Sequence, residues 1–433
     1  MLKFWDWTGA AVLACAVMTL SACSGGGGGS SGTASVRVAN ATSTHATVDL
    51  LANGAAAVSA TPTDTVSAYV GVATGGAALQ VNDSTTDTAL GTLAPTLVNG
   101  AHYVLVAYDS GGTLHTTLIG EDVVAPAAGT SSLRVVDTAI DAGALDVYVT
   151  DPATDITTLS TPSFTFPLST TLQTSTFLSF APGTYRIRIT GTGNPGDVRL
   201  DIASVTLASQ EVGSVILTPS VGGTLVNGAV LAEQGDYTAA RNPNARIRLA
   251  AAVTPGATVT ANAGGTAISP GNVVAPAVGA YVVIPATAAI NISVNSASVG
   301  APATTLLAGS DATLLVYGSA AAPTVTLVAD DNHLPASSNS LKLRLLNGLT
   351  GAAQPLELDA AFAVVASNVA PGTASSYGVV SSATGLGLTV FSPTTLTPFY
   401  SSNPAVAIPG NAVYTLFILG DASSPVPLLR KDR

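Results

Sequence analysis

From residue 35 onward, aliphatic and polar side chains alternate with a period of two, the pattern of strands with one buried face. Four of these runs place arginine between two aliphatics: Val36-Arg-Val38, Leu133-Arg-Val135, Ile247-Arg-Leu249 and Leu343-Arg-Leu345. Twelve or thirteen residues after each arginine comes a second run centred on Asp49, Asp146, Thr260 or Glu357. A third signal follows, in which an aromatic strand leads through a Gly- or Ala-rich turn into another strand, over 69–81, 177–189, 281–294 and 377–390. A late aliphatic strand and a short closing run end each unit, and no stretch sustains a helical period with caps. Six or seven short strands per unit, with turn signals between them, predict an all-β chain. It would consist of four tandem immunoglobulin-like antiparallel β-sandwich repeats over 35–128, 130–241, 244–336 and 339–433.

The first residues follow a different pattern. Lys3 precedes a short apolar run ending at Leu20-Ser21-Ala22-Cys23. A positive start, a brief apolar stretch and small residues at the end describe a secretory signal over 1–22, too short for a stable membrane span. Leu20-Ser21-Ala22-Cys23 resembles the bacterial lipobox, in which the cysteine is lipidated and becomes the new N-terminus. Cys23 is therefore the expected lipidation site and the attachment to the membrane. Residues 23–34, rich in Gly and Ser, read as a flexible tether. Ser24 after the cysteine resembles the pattern of lipoproteins sent to the outer membrane. The only other cysteine, Cys15, lies inside the signal, so the processed chain could form no internal disulfide or thiolate metal site.

Composition narrows the functions available. Charged residues are 9% of the chain and the net charge is −11, which argues against nucleic acid, whose binding needs a basic patch. The tracts 249–310 and 360–420 contain no Asp, Glu, Lys or Arg. Ser, Thr, Asn, Gly and Pro interrupt them too often for a membrane-spanning helix. At 5% aromatic the chain is also poorly supplied for the girdles of a transmembrane barrel.

The segments Leu133-Arg-Val-Val-Asp-Thr-Ala-Ile-Asp-Ala-Gly-Ala-Leu-Asp-Val-Tyr-Val149 and Phe180-Ala-Pro-Gly-Thr-Tyr185 resemble the bacterial domain-of-unknown-function family numbered 4397. The other three units match only its pattern of aliphatics, arginine and turns. The resemblance implies tandem extracytoplasmic sandwiches, often in lipoproteins, and supplies no catalytic residues.

Other motifs carry little chemistry. Gly191-Thr-Gly-Asn-Pro-Gly196 spells a dinucleotide-binding fingerprint, but strand-like runs flank it on both sides, where the motif requires a helix after it. Gly28-Gly-Ser-Ser-Gly32 spells a nucleophile elbow inside the tether, where nothing holds it rigid. His45, His102, His115 and His333 show no metal-ligand spacing. Asp137, Asp141, Asp146, Asp151 and Asp155, or Asp330-Asp331-Asn332, could supply oxygen ligands to calcium but lack the ordered loop motif. No cofactor, metal or catalytic residue is expected. The recurring arginines read as structural, in cross-strand ion pairs on outer faces: Arg37 with Asp49, Arg134 with Asp146, Arg344 with Glu357. Arg248, opposite Thr260, would lack such a partner and should turn to solvent, a loop carboxylate or a carbonyl. Surface pairs of this kind contribute about 0.2–1 kcal/mol. The expected function is a non-catalytic envelope lipoprotein acting in binding, adhesion or as a spacer, with a protein or glycan partner. A glycan-acting hydrolase and a carbohydrate-binding array are the competing readings.

Overall fold

β-Branched and aliphatic residues at alternate positions, broken by Gly, Asn and Pro turns, commit the chain to strands almost throughout. The computed structural model describes residues 32–433 apart from 111–112, 352–353, 397 and 403–404. Cys23, the signal over 1–22 and the tether up to residue 31 lie outside the described residues. The fold is all-β, as the alternation predicts; short 3₁₀ turns at Ile140–Ala142 and Ile156–Thr158 are added to it.

The principal sheets fall into four successive spans, and each takes its strands from one span. In the first, Thr33–Asn40 and His102–Ser110 lie at the centre of one sheet, while Thr47–Ala52 and Leu79–Asp83 are central in the other. Val36, Val38, Val48, Leu50, Val81 and Leu105 fill the space between the two sheets. The same plan recurs around Leu133 and Leu145, Ile247 and Val259, and Leu343 and Leu358.

One feature differs from the sequence reading, and a second is one that the sequence left open. The sandwiches are not antiparallel throughout: the first strand of each span runs parallel to the late strand beside it. Thr33–Asn40 pairs this way with His102–Ser110, and Ser340–Thr350 with Ala412–Asp421. Crossing over through the second sheet is what brings the chain back in the same direction. The sandwiches also stack in pairs. The outer face of the first-span sheet packs on that of the second through Ala39, Val104, Val106, Val136, Ile216 and Leu231. The third packs on the fourth through Ala250, Ala252, Leu315, Leu346, Phe417 and Leu419. A Cβ on Gly348 would stand 2.6 Å from Leu419 and 2.9 Å from the Ala252 Cβ, so only glycine allows these sheets to come so close.

Candidate functional site

The period of two that sends Val36 and Val38 into the sandwich core sends Arg37 to the opposite face, as it does the other three arginines. That face is the stacking interface. Arg37, Arg248 and Arg344 are 4%, 2% and 1% exposed, while Arg134 is half-buried.

Between the third and fourth spans, two arginines and two aspartates form a nearly symmetric exchange. Arg248 donates from Nε to Thr313 Oγ1 at 2.9 Å, and from Nη1 across the interface to Asp432 Oδ1 at 2.5 Å. Arg344 donates from Nε to Thr415 Oγ1 at 3.0 Å and from Nη2 across the interface to Asp330, with Nη1 on the Ala329 carbonyl. Tyr281 donates to Asp330 and Tyr377 to Asp432. The guanidinium of Arg248 lies 4.5 Å from the centre of the Tyr281 ring, and that of Arg344 lies 4.6 Å from Tyr377. Burial alone disfavours these cations, yet Tyr281, Asp432 and Asp330 around Arg248, and Asp330, Tyr377 and Asp432 around Arg344, outweigh it and hold both above their ordinary pKa. Burial likewise opposes the Asp330 anion, and Arg344 and Arg248 reverse that, pulling its pKa down.

The first two spans use a variant of this arrangement. Arg37 binds Glu121 through both Nε and Nη2 and donates from Nη1 to the Gly235 carbonyl of the second span at 2.6 Å. It lies over Tyr69, whose hydroxyl donates to Glu121 at 2.6 Å. Arg134 lies over Phe177 and donates to Ser214 Oγ at 2.9 Å and to the Gly120 carbonyl at 3.2 Å.

The expected pairs Arg37–Asp49, Arg134–Asp146 and Arg344–Glu357 are therefore replaced by other contacts. The first and second strands of a span belong to different sheets of the sandwich, so their outward-facing residues point to opposite sides. Asp49 instead accepts from the Ala60 amide at 2.7 Å and the Ser84 hydroxyl at 2.6 Å. Asp146 accepts from the Gly193 amide at 2.9 Å, in the hairpin that the Gly191–Gly196 motif closes. Glu357 is half-buried on Leu356–Ala360, opposite Phe391. Arg248, expected to turn to solvent, a loop carboxylate or a carbonyl, holds Asp432, which directly follows the closing strand.

The true partners were visible in the sequence. Each arginine stacks on the aromatic residue that opens the third signal of its own unit: Tyr69, Phe177, Tyr281 or Tyr377. A carboxylate ends each closing strand or directly follows it, and Glu121, Asp330 and Asp432 pair with these arginines, whereas Glu233 accepts from the Val123 amide. What the sequence could not supply was which sandwiches stack.

A cleft of about 540 Å³ opens at the rim of the third–fourth interface, lined mainly by apolar surface that includes Leu306, Leu307 and Tyr377. Arg344 and Asp330 reach it, but their polar atoms are committed to each other and to neighbouring strands. The histidines are likewise occupied: His45 meets Asp83 at 2.8 Å, His102 meets Asp122 at 2.9 Å, and His115 meets Thr113 at 3.1 Å. Of the calcium candidates, Asp155 caps Ile156–Thr158. Asp137 is buried, and loss of water raises its pKa to about 7. Among the described residues no group of three or more His, Cys, Asp or Glu is placed to hold a metal ion, and no helix is long and apolar enough to cross a membrane.

No curated protein sequence matches the chain. Among solved structures it is similar to the product complex of a multi-modular glycogen-degrading pneumococcal virulence factor, SpuA, at 10% identity and a TM-score of 0.16. The match covers 85% of this chain, which spans only 37% of that one; a likeness so slight carries no argument about fold or activity. A family model gives a firmer result, and it centres on the first unit, whereas the sequence reading found its best resemblance in the second. Residues 34–148 match the model described as domain of unknown function DUF4397, the family that the sequence resembles.

Proposed function

We propose that this chain is a lipid-anchored protein of the cell envelope, held at the outer membrane by a lipid on Cys23, whose sandwiches act without catalysis as a spacer or binding platform. One observation carries the reading. The arginines that recur from unit to unit are spent on holding sandwiches together in pairs, with Arg248 and Arg344 locked to Asp432 and Asp330. Side chains so committed and so deeply buried offer little to a substrate, and a stack of sandwiches suits a part that must hold something at a distance. Its partner would be a protein or glycan of the envelope.

Fractionation tests the anchor. Cys23→Ala should move the protein from the membrane fraction to the soluble fraction, because the lipid is its expected hydrophobic attachment. Retention of the variant after a high-salt wash would overturn the anchor. Release of reducing ends from envelope glycan by the purified chain would overturn the non-catalytic part.

A further inference from the structure

The fourth span carries an apolar patch that the first span lacks. Its hairpin between Leu356–Ala360 and Ala363–Val369 turns on Ala361 and Phe362, both in the left-handed region at φ 49° and 66°. The corresponding two-residue turns are Asn53-Gly54 in the first span and Gly264-Gly265 in the third. Those are the residues such turns favour, because a side chain at positive φ is strained. Phe362 stands at the tip and is fully exposed, at 101% of its reference area.

Strand register identifies two more differences. Val364 faces Asp359, and in the first span Ala56 faces Leu51 at the same place. Val379 faces Lys342, where the first span has Gly71 facing Ser35 and the third has the less exposed Val283 facing Arg246. Val364 and Val379 are 61% and 70% exposed. Gly54, Ala56 and Gly71 of the first span thus become Phe362, Val364 and Val379 in the fourth, at equivalent positions around one edge of the sandwich. Between the edges of Ala363–Val369 and Gly378–Ser381 runs a groove of about 470 Å³, lined by Ala360, Ala363, Val364, Val379 and Leu386 among others. Phe362 projects from its lip and does not fill it.

We propose that this patch is a self-association surface, in which Phe362 of one copy enters the groove of a second copy and receives that copy's Phe362 in return. An apolar knob beside an apolar groove on the same face is what a two-fold contact requires, since each copy must offer both halves. Charge favours this face for such a contact. Copies of a chain with net charge −11 repel one another, and none of the residues lining this groove is charged. The strained turn fits as well, because conformations of this cost persist where a contact depends on them.

Crosslinking of the full chain tests the proposal. With Cys15 and Cys23 replaced by Ser, the chain contains no other cysteine, so Ala363→Cys places one thiol beside the patch. A bismaleimide reagent should then give covalent dimer, and adding Phe362→Gly should reduce it to the level of a control carrying Val124→Cys, on an exposed linker. Phe362→Gly restores the residue that the first and third spans carry at this position, so misfolding would not explain the loss. No dimer above the control, or dimer that persists with Phe362→Gly, would overturn the proposal. So would flotation of the monomeric chain with phosphatidylcholine–phosphatidylglycerol vesicles that depends on Phe362, since that would make the occupant lipid.

Discussion

At the scale of the residue, burial changes what an arginine contributes. Placed on outer faces, these side chains would each add no more than about 1 kcal/mol as solvated pairs. Their partners instead lie in the stacking interface, where Arg344 and Asp330 are both nearly inaccessible. Removing one member of a buried pair leaves the other charged and without a counterion, at a cost of about 3–5 kcal/mol. Arg344→Ala should therefore lower the denaturation free energy of the third–fourth pair by that amount, measured by urea titration. Arg134→Ala should cost markedly less, because Arg134 is half-buried and its contacts are a hydroxyl, a carbonyl and the Phe177 ring. Equal losses at the two positions would show that burial does not set the difference. The sequence disclosed that the arginines recur and that their reason is structural, because their spacing repeats with the strands. It concealed their depth, because an outward-facing residue of an isolated sandwich and an interface residue of a stacked one obey the same alternation.

Among the elements, the alternating runs were legible because a half-buried strand repeats every two residues whatever packs on it. The parallel pairing of first and late strands was not, since no side-chain pattern distinguishes a neighbour that runs parallel from one that runs antiparallel. Turn residues were informative in a different way. Asn53-Gly54 and Gly264-Gly265 mark hairpins by the left-handed conformation they accept, whereas Ala361-Phe362 adopts that conformation with side chains that resist it. A left-handed residue other than glycine costs roughly 1–2 kcal/mol. The double substitution Ala361→Asn with Phe362→Gly should therefore raise the thermal midpoint of the fourth span by a few degrees, measured by differential scanning calorimetry. An unchanged or lowered midpoint would mean that Phe362 contributes to the fold of its own span, and its full exposure would need another cause.

Across the whole molecule, the pairs meet where the second span touches the third, and His333 joins backbone hydrogen bonds and Arg433 in that contact. His333 Nδ1 lies 2.7 Å from Asp331 Oδ1, while Nε2 lies 3.0 Å from the Ser220 carbonyl and 3.5 Å from Asp141 Oδ2. Both ring nitrogens face acceptors, so both must carry protons, and the ring is cationic when the junction is closed. Burial works against that cation. The hydrogen bond to Asp331 and the charge of Asp141 outweigh both burial and the repulsion from Lys342, and hold the His333 pKa above its ordinary 6.5. Because the folded pKa is raised, the stabilisation is fully present below pH 6.5 and is lost as pH rises through the folded value. Asp141 acts in the same direction: burial raises its pKa, so its contribution is also lost as pH rises. Asp331, hydrogen-bonded to His333 and Lys342 against the cost of burial, titrates only in strong acid and leaves this window unaffected. His333→Gln keeps a neutral hydrogen-bonding side chain and removes the titration. Its unfolding midpoint should fall below that of the native chain at pH 6, and the difference should narrow as pH is raised and the native imidazole loses its proton. A gap of constant size across that range would mean that His333 contributes packing alone, and that the contact between the pairs does not respond to pH through this residue.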